Sequence, residues 1–357
     1  MSQYLAIAFM LFTLAAWPGN AAAAETGNTT ELQTLELPPD QAALDQEAAL
    51  SETCLLRELK QADNDTTVAE LKARCAAEGV RGGDSLILGR LRRERAAEDI
   101  RSILTPHKRN YFLPVTYMDE PNELPLEDEL GEPLAADDLD HLEAKFQLSL
   151  KFNVARGLLL PRDQVHFGFT ALSFWQAYNR DVSAPFRETN YEPELLWSTP
   201  LDWAPLGLDA GQLTFGVSHQ SNGRGGSLSR SWNRVYTELA FEKSNLVVSL
   251  KPWWRIPESE KDDPSDAKGD DNPDIERYLG HFEFTTTYRK RNHEFRLLLR
   301  NNLRGDNKGA VQLEWAFPLW RGIRGYAQYF NGYGESLIDY NVRMERFGVG
   351  ILLTDLL

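Results

Sequence analysis

The stretch Lys145-Phe146-Gln147-Leu148-Ser149-Leu150-Lys151-Phe152-Asn153-Val154 decides the fold. Phe146, Leu148, Leu150, Phe152 and Val154 take alternate positions, and Lys145, Gln147, Ser149, Lys151 and Asn153 take those between them. Side chains in an extended strand point to opposite faces in turn, so this period of two describes a strand with one oily and one wet face. The alternation returns in Leu246, Val248 and Leu250, in Phe282 and Phe284, in Phe295, Leu297 and Leu299, and in Val311, Leu313, Trp315 and Phe317. Twelve such segments begin near Lys145, Val165, Tyr191, Gly211, Trp232, Ser244, Ile275, Asn292, Gly309, Gly325, Leu337 and Arg346. The number is even, as closure by antiparallel hairpins requires.

A soluble β-sandwich alternates in the same way, with the oily row in a core instead of in lipid. Three features favour the membrane. The pattern persists to the C-terminus, an export signal stands at the N-terminus, and the aromatics Trp197, Trp203, Trp253, Trp254, Trp320, Tyr326 and Tyr329 fall near segment ends, where interfacial girdles sit. The expected fold class is all-β, a twelve-stranded antiparallel transmembrane β-barrel preceded by a small helical N-terminal extension.

Residues 1–24 read as the signal peptide: an apolar run from Leu5 to Trp17, a Pro18-Gly19 break and the small residues Ala21 to Ala24. The run is shorter than the ~20 residues a membrane-spanning helix needs. No Phe, Trp or Tyr occurs between Glu25 and Asn110, which marks residues 25–104 as a separate periplasmic extension. It is rich in Ala, Glu and Leu, with helical patterns at 46–61, 66–78 and 85–103 and a turn at Asp63-Asn64-Asp65. Cys54 and Cys75 lie almost symmetrically about that turn. In an oxidising compartment a disulfide between them is expected, two free buried thiols being the alternative. Residues 105–144 read as an extended, acidic linker or strap, and 145–357 as the barrel.

Across 357 residues there are 38 basic and 53 acidic side chains, a net charge of −15. Such a balance argues against a nucleic-acid-binding surface. The acidic run Glu258 to Asp274 is expected to be a solvated external loop.

The chemistry concentrates in Ser218-His219-Gln220-Ser221-Asn222-Gly223-Arg224-Gly225-Gly226-Ser227-Leu228-Ser229-Arg230-Ser231-Trp232-Asn233-Arg234, which joins one strand to the next. His219 and Ser221 continue the parity of the apolar row Leu213, Phe215 and Val217, and Asn233 continues that of Val235, Thr237, Leu239 and Phe241. All three should therefore project from the face that meets lipid, where polar groups are costly unless they serve a purpose. An imidazole two residues from a hydroxyl on one strand face can take its proton. A carboxamide oxygen on the next strand can accept the other ring N–H and fix the tautomer. A polar strand end with a hydrophilic turn would look the same, and the residues alone leave both readings open.

The segment resembles the active-site signature of the bacterial outer-membrane phospholipase A family, a His, a Ser two residues later and an Asn twelve after the Ser. Pro185 to Pro193, Asp271-Asn272-Pro273-Asp274 and Gly334 to Asn341 resemble the same family, and the likeness covers about residues 108 to 357. The resemblance implies a calcium-dependent barrel enzyme, controlled by dimerisation, that hydrolyses acyl esters of membrane phospholipids. It makes Ser221 the nucleophile, His219 the base and Asn233 the group that orients the base. For Ca2+ it implies the Arg224 carbonyl, the Ser229 hydroxyl and Ser183 from the second subunit of a homodimer. Gly225-Gly226 stands where family members can carry an acidic calcium ligand, and Ala171 where a polar residue supports dimer contact. The alternative is a non-enzymatic outer-membrane barrel, a pore or adhesin, that keeps the fold without activity.

Overall fold

The structure is a computed structural model that describes residues 85–98, 104–122, 126–127, 133–134, 139–180, 185–201, 207–261, 263, 266, 269–320 and 323–354. Its barrel strands are β1 (Asn110–Met118), β2 (Leu142–Arg156), β3 (Gln164–Trp175), β4 (Phe186–Leu201), β5 (Ala210–Ser221), β6 (Ser231–Lys243), β7 (Leu246–Ile256), β8 (Phe282–Lys290), β9 (His293–Asn301), β10 (Gly309–Trp320), β11 (Ile323–Tyr333) and β12 (Arg343–Thr354). Each pairs antiparallel with its neighbour in sequence, and β12 returns to β1 from Arg346↔Met118 to Thr354↔Asn110, which closes the sheet. Closure leaves no unpaired edge, the condition for strands to stand in hydrocarbon.

The direction of the two faces separates a membrane barrel from a sandwich. On β2, Leu148 and Val154 are 50% and 54% exposed, while Lys145 and Ser149 on the alternate row are 2% and 0% exposed. The oily row points out and the charged row points into the barrel, which a water-soluble core would reverse. Inside, the charges are paired: Arg187 donates to Glu143 at 3.0 and 3.1 Å and to Asp339 at 2.6 Å, and Lys145 pairs with Glu335 at 2.8 Å. Arg346 bridges Glu143 and Glu335, both at 2.8 Å, and Arg109 reaches Glu294 and Glu314. Buried charges are tolerated when each has a partner and further hydrogen bonds. Among the described residues no helix is long and apolar enough to cross a membrane, which says nothing about strands.

The strand count expected from the sequence is met, but two members differ. β1 lies inside the segment read as linker. Pro114 interrupts it, the register to β2 shifts between Leu113 and Thr116, and Tyr111 and Leu113 point inward against Tyr326 and Leu352, so its apolar residues do not line one face. The segment near Leu337 is not a strand. It is a turn that buries Leu337 and Ile338 at the barrel mouth. The segment beginning at Ile275 opens as a short helix, α2 (Ile275–Leu279), whereas α1 (Leu86–Glu98) precedes the barrel. Gly280 follows α2 at φ +72, and a Cβ there would stand 2.2 Å from the Asn301 carbonyl oxygen, so only glycine ends the helix this way.

The aromatic girdle is also thinner than expected. Trp254 and Trp320 are exposed, but Trp253 points inward, because adjacent residues of one strand cannot share a face, and Tyr326 packs inward against Tyr111. Trp203 lies outside the described residues, as do the signal segment, Cys54, Cys75 and the first two helical patterns.

The helical pattern at 85–103 becomes α1. Its first turn is held by a strand: Leu86 and Ile87 N–H donate to the Glu242 carboxylate at 2.6 and 2.9 Å, and Ser85 Oγ joins them at 2.8 Å. Those donors have no partner within the helix, so a carboxylate there both caps the helix and complements its dipole.

Candidate active site

β5 and β6 meet at a turn over residues 222–230, and the turn is built around one buried side chain. Asn222 Oδ1 accepts from the N–H of Arg230 at 3.0 Å and of Arg224 at 3.3 Å, and its Nδ2 donates to the Leu228 carbonyl at 2.9 Å. Gly223 turns the chain at φ +68, where a side chain other than glycine's is strained. A short 3-10 turn, Gly226–Leu228, follows and buries Leu228. Below the turn a Cβ at position 216 would come within 2.2 Å of the Tyr236 ring, so Gly216 lets that tyrosine lie across the strand pair.

With the turn fixed, the register follows. His219 stands directly opposite Asn233, and Ser221 opposite Ser231. His219 is exposed, Ser221 and Asn233 are half-buried, and Phe215, Val217, Val235 and Leu239 continue the same outward rows as an oily belt. The parity expected from the sequence is the parity observed. His219 Nδ1 lies 2.9 Å from Asn233 Oδ1. A carboxamide oxygen only accepts, so Nδ1 carries the proton and Nε2 keeps the lone pair that a general base uses. On the other flank Tyr191 of β4 is the register partner of Ser221 and stacks on Phe169, ring centroids 6.3 Å apart.

Two residues to which sequence reasoning gave no site role complete the site, and both come from the external loop after β7; Asp271 opens the Asp271–Asp274 stretch that resembles the family. Asn233 Nδ2 donates to Glu258 Oε1 at 3.0 Å. Asp271 Oδ2 accepts from Ser229 Oγ at 2.8 Å and from Ser231 Oγ at 2.9 Å, and Lys261 Nζ lies 2.5 Å from its other oxygen. Partial burial pushes the Asp271 carboxyl up, but hydrogen bonds from Lys261, Ser229 and Ser231 outweigh it and hold the group below the usual aspartate range. Asn272, fully buried, accepts from the Ser231 N–H at 3.0 Å, and Asp270 holds Arg255. The loop expected to be solvated is instead tied at several points to the strands that carry Ser221 and Asn233. Spacing carried no signal for this, because the loop folds back across the sheet.

The residues expected to hold calcium fall into three cases. Ser229 stands on the turn with its hydroxyl toward the Asp271 carboxylate. Arg224 is anchored by its side chain, which donates to the Arg187 carbonyl at 2.6 Å and pairs with Glu188 at 3.3 Å. Ser183 lies outside the described residues. The hydroxyls of Ser229 and Ser231 and the Asp271 carboxylate are hard oxygen donors, the chemistry that suits Ca2+. Among the described residues no cluster of three or more His, Cys, Asp or Glu side chains could hold a metal, so a cation here would need hydroxyl and carbonyl oxygens beside the Asp271 carboxylate.

Known proteins share the fold and much of the sequence. A solved outer-membrane phospholipase A from Escherichia coli is similar to the chain, with 35% identity and a TM-score of 0.63 over 71% of this chain and 95% of that one. The Salmonella typhi outer-membrane phospholipase dimer with bound calcium is similar at 34% identity and a TM-score of 0.66, over 77% of this chain and 99% of that one. The curated phospholipase A1 of Proteus vulgaris is 36% identical over 253 residues, 71% of this chain and 82% of that protein. The family model for phospholipase A1 matches residues 87–353, and the chain belongs to that family.

Proposed function

We propose that Ser221, His219 and Asn233 are the catalytic group of an outer-membrane phospholipase A that cleaves acyl esters of glycerophospholipids. The observation that carries the assignment is the His219 Nδ1 to Asn233 Oδ1 contact of 2.9 Å on the outward face, two residues from the Ser221 hydroxyl. In support, a solved variant of the E. coli enzyme in which an asparagine is replaced by alanine is described as an active-site mutant, and that chain is 35% identical to this one.

His219 Nε2 takes the Ser221 proton as Oγ attacks the ester carbonyl, and the imidazolium then protonates the departing lysophospholipid oxygen. An acyl-serine remains. His219 next takes a proton from water, the hydroxide attacks the acyl carbon, and Ser221 recovers its proton as the fatty acid leaves. Throughout, Asn233 holds the ring and accepts the N–H that becomes charge-bearing when the imidazolium forms. The Phe215, Val217, Val235 and Leu239 belt places this chemistry beside acyl chains already in the bilayer, so substrate need not enter the lumen.

Ca2+ supplies Lewis-acid stabilisation of the developing oxyanion when bound. In this chain Arg224 and Ser229 would hold it, with Ser183 contributed across a homodimer. A relative solved as a dimer with bound calcium supports calcium and a homodimer as the setting. The lumen, crossed by the pairs of Arg187, Lys145, Arg346 and Arg109, argues against an open pore as the main role. The deciding experiment is calcium-dependent fatty-acid release from detergent-dispersed phospholipid by wild type and Ser221→Ala. Release by wild type alone is expected. Equal release by both would remove Ser221 from the chemistry.

A further inference from the structure

We propose that Glu258 is a positioning residue that sets the amide orientation of Asn233 and, through it, the tautomer of His219. The inference rests on the catalytic reading of His219 and Asn233 and extends it to the loop after β7. Ile256, the last residue of β7, is the register partner of Asn233, and Glu258 lies two residues further, at the start of the loop. Two adjacent strands and the start of the loop after β7 thus bring His219, Asn233 and Glu258 together at the rim, with the two contacts at 2.9 and 3.0 Å.

The chemistry of the line runs one way. An ionised carboxylate only accepts hydrogen bonds, so the Asn233 group facing Glu258 must be the NH2. The carbonyl oxygen then faces the imidazole, Nδ1 carries the proton, and Nε2 is left bare on the ring. An amide without such a neighbour can turn over at little cost and present its NH2 to the ring. His219 would then accept at Nδ1 and carry its proton at Nε2, where it cannot take the proton of Ser221. The external loop therefore does more than cover the site: its first acidic residue selects the productive form of the base. Glu258 and Asn233 are half-buried next to lipid, where a hydrogen bond is exchanged less readily for one with water.

The test compares Glu258→Ala, Glu258→Gln and Glu258→Lys in the full-length protein. Glu258→Gln can still accept from Asn233 and should retain most activity. Glu258→Ala should lower kcat about tenfold with KM within about twofold, the weight of one charge-assisted hydrogen bond. Glu258→Lys, a donor only, should turn the amide over and fall below alanine. The direct readout is the ring tautomer of His219 in micelles by long-range 1H–15N correlation, with His219→Gln identifying its signals. Wild type should show a protonated Nδ1, alanine a mixture, and lysine a protonated Nε2. An unchanged tautomer in Glu258→Ala and Glu258→Lys overturns the proposal whatever the rates do, as does kcat within twofold of wild type in Glu258→Ala. The tautomer is read without turnover, so failure of the esterase reading itself would appear separately, as equal fatty-acid release by wild type and Ser221→Ala.

Discussion

Replacing Asn233 by alanine tests how the carboxamide serves the reaction. The substitution removes the acceptor 2.9 Å from His219 Nδ1 and leaves the β5–β6 ladder intact, since the pair His219↔Asn233 is held by backbone register. While the ring is neutral, the lost hydrogen bond contributes about 0.5–1.5 kcal/mol. Once the ring is cationic, the bond is charge-assisted and contributes about 1.5–3 kcal/mol. Only the difference, about 1–1.5 kcal/mol, acts on the chemical step, and at 1.36 kcal/mol per decade it lowers kcat about five- to fifteenfold. Loss of ring orientation adds to this, so a fall of about ten- to a hundredfold is expected, with KM little changed. The assay is steady-state hydrolysis of a phospholipid thioester analogue in mixed micelles at saturating calcium. A kcat within twofold of wild type, or an effect confined to KM, would refute the assignment of Asn233 to the base.

Further outcomes follow from the surrounding contacts. Ser229→Ala, which removes a hydroxyl from the turn and a donor to Asp271, should raise the calcium concentration for half-maximal activity by about tenfold, read by calcium titration; an unchanged requirement would take Ser229 out of the metal site. Arg187→Met strands Asp339 in the lumen and leaves Glu143 with Arg346 alone, and should cost about 3–5 kcal/mol of stability, measured as the urea midpoint of tryptophan fluorescence in micelles; an unmoved midpoint would mean the network is not stabilising. Asp163 anchors the β2–β3 turn through the N–H groups of Leu158, Leu159, Leu160 and the Trp197 indole. Burial would raise its pKa, but these donors bring it down to about 2. The anchoring is therefore complete above the ordinary aspartate value of ~3.9 and fades as pH falls through about 2. Asp163→Ala should accordingly speed trypsin cleavage after Arg162 at neutral pH, and equal cleavage would argue against the anchor.

Most of the barrel was legible because lipid reverses nothing in the local rule: a strand with one face in hydrocarbon and one in a polar lumen alternates whatever surrounds it. β1 was hidden where the rule fails, since Pro114 removes a ladder donor and Tyr111 and Leu113 pack inward among apolar neighbours. The Leu337 segment misled for the converse reason. Its apolar residues fill the mouth of the barrel, with Leu337 and Tyr340 against Leu279 and Trp253, and need no ladder to be buried. At the site, His219, Ser221 and Asn233 could be read from parity, because strand geometry alone puts them on one face. Glu258 and Asp271 could not, because a loop brings them there and loops carry no period.

The central claim is that the Ser221 hydroxyl is activated by His219 on the outer face of the barrel. The most direct measurement is mass spectrometry of the protein after reaction with a long-chain sulfonyl fluoride in micelles. A single adduct on Ser221 in wild type, absent in His219→Gln and slowed in Asn233→Ala, is the predicted result. Equal labelling of Ser221 in wild type and His219→Gln, or labelling spread over other serines, would contradict it.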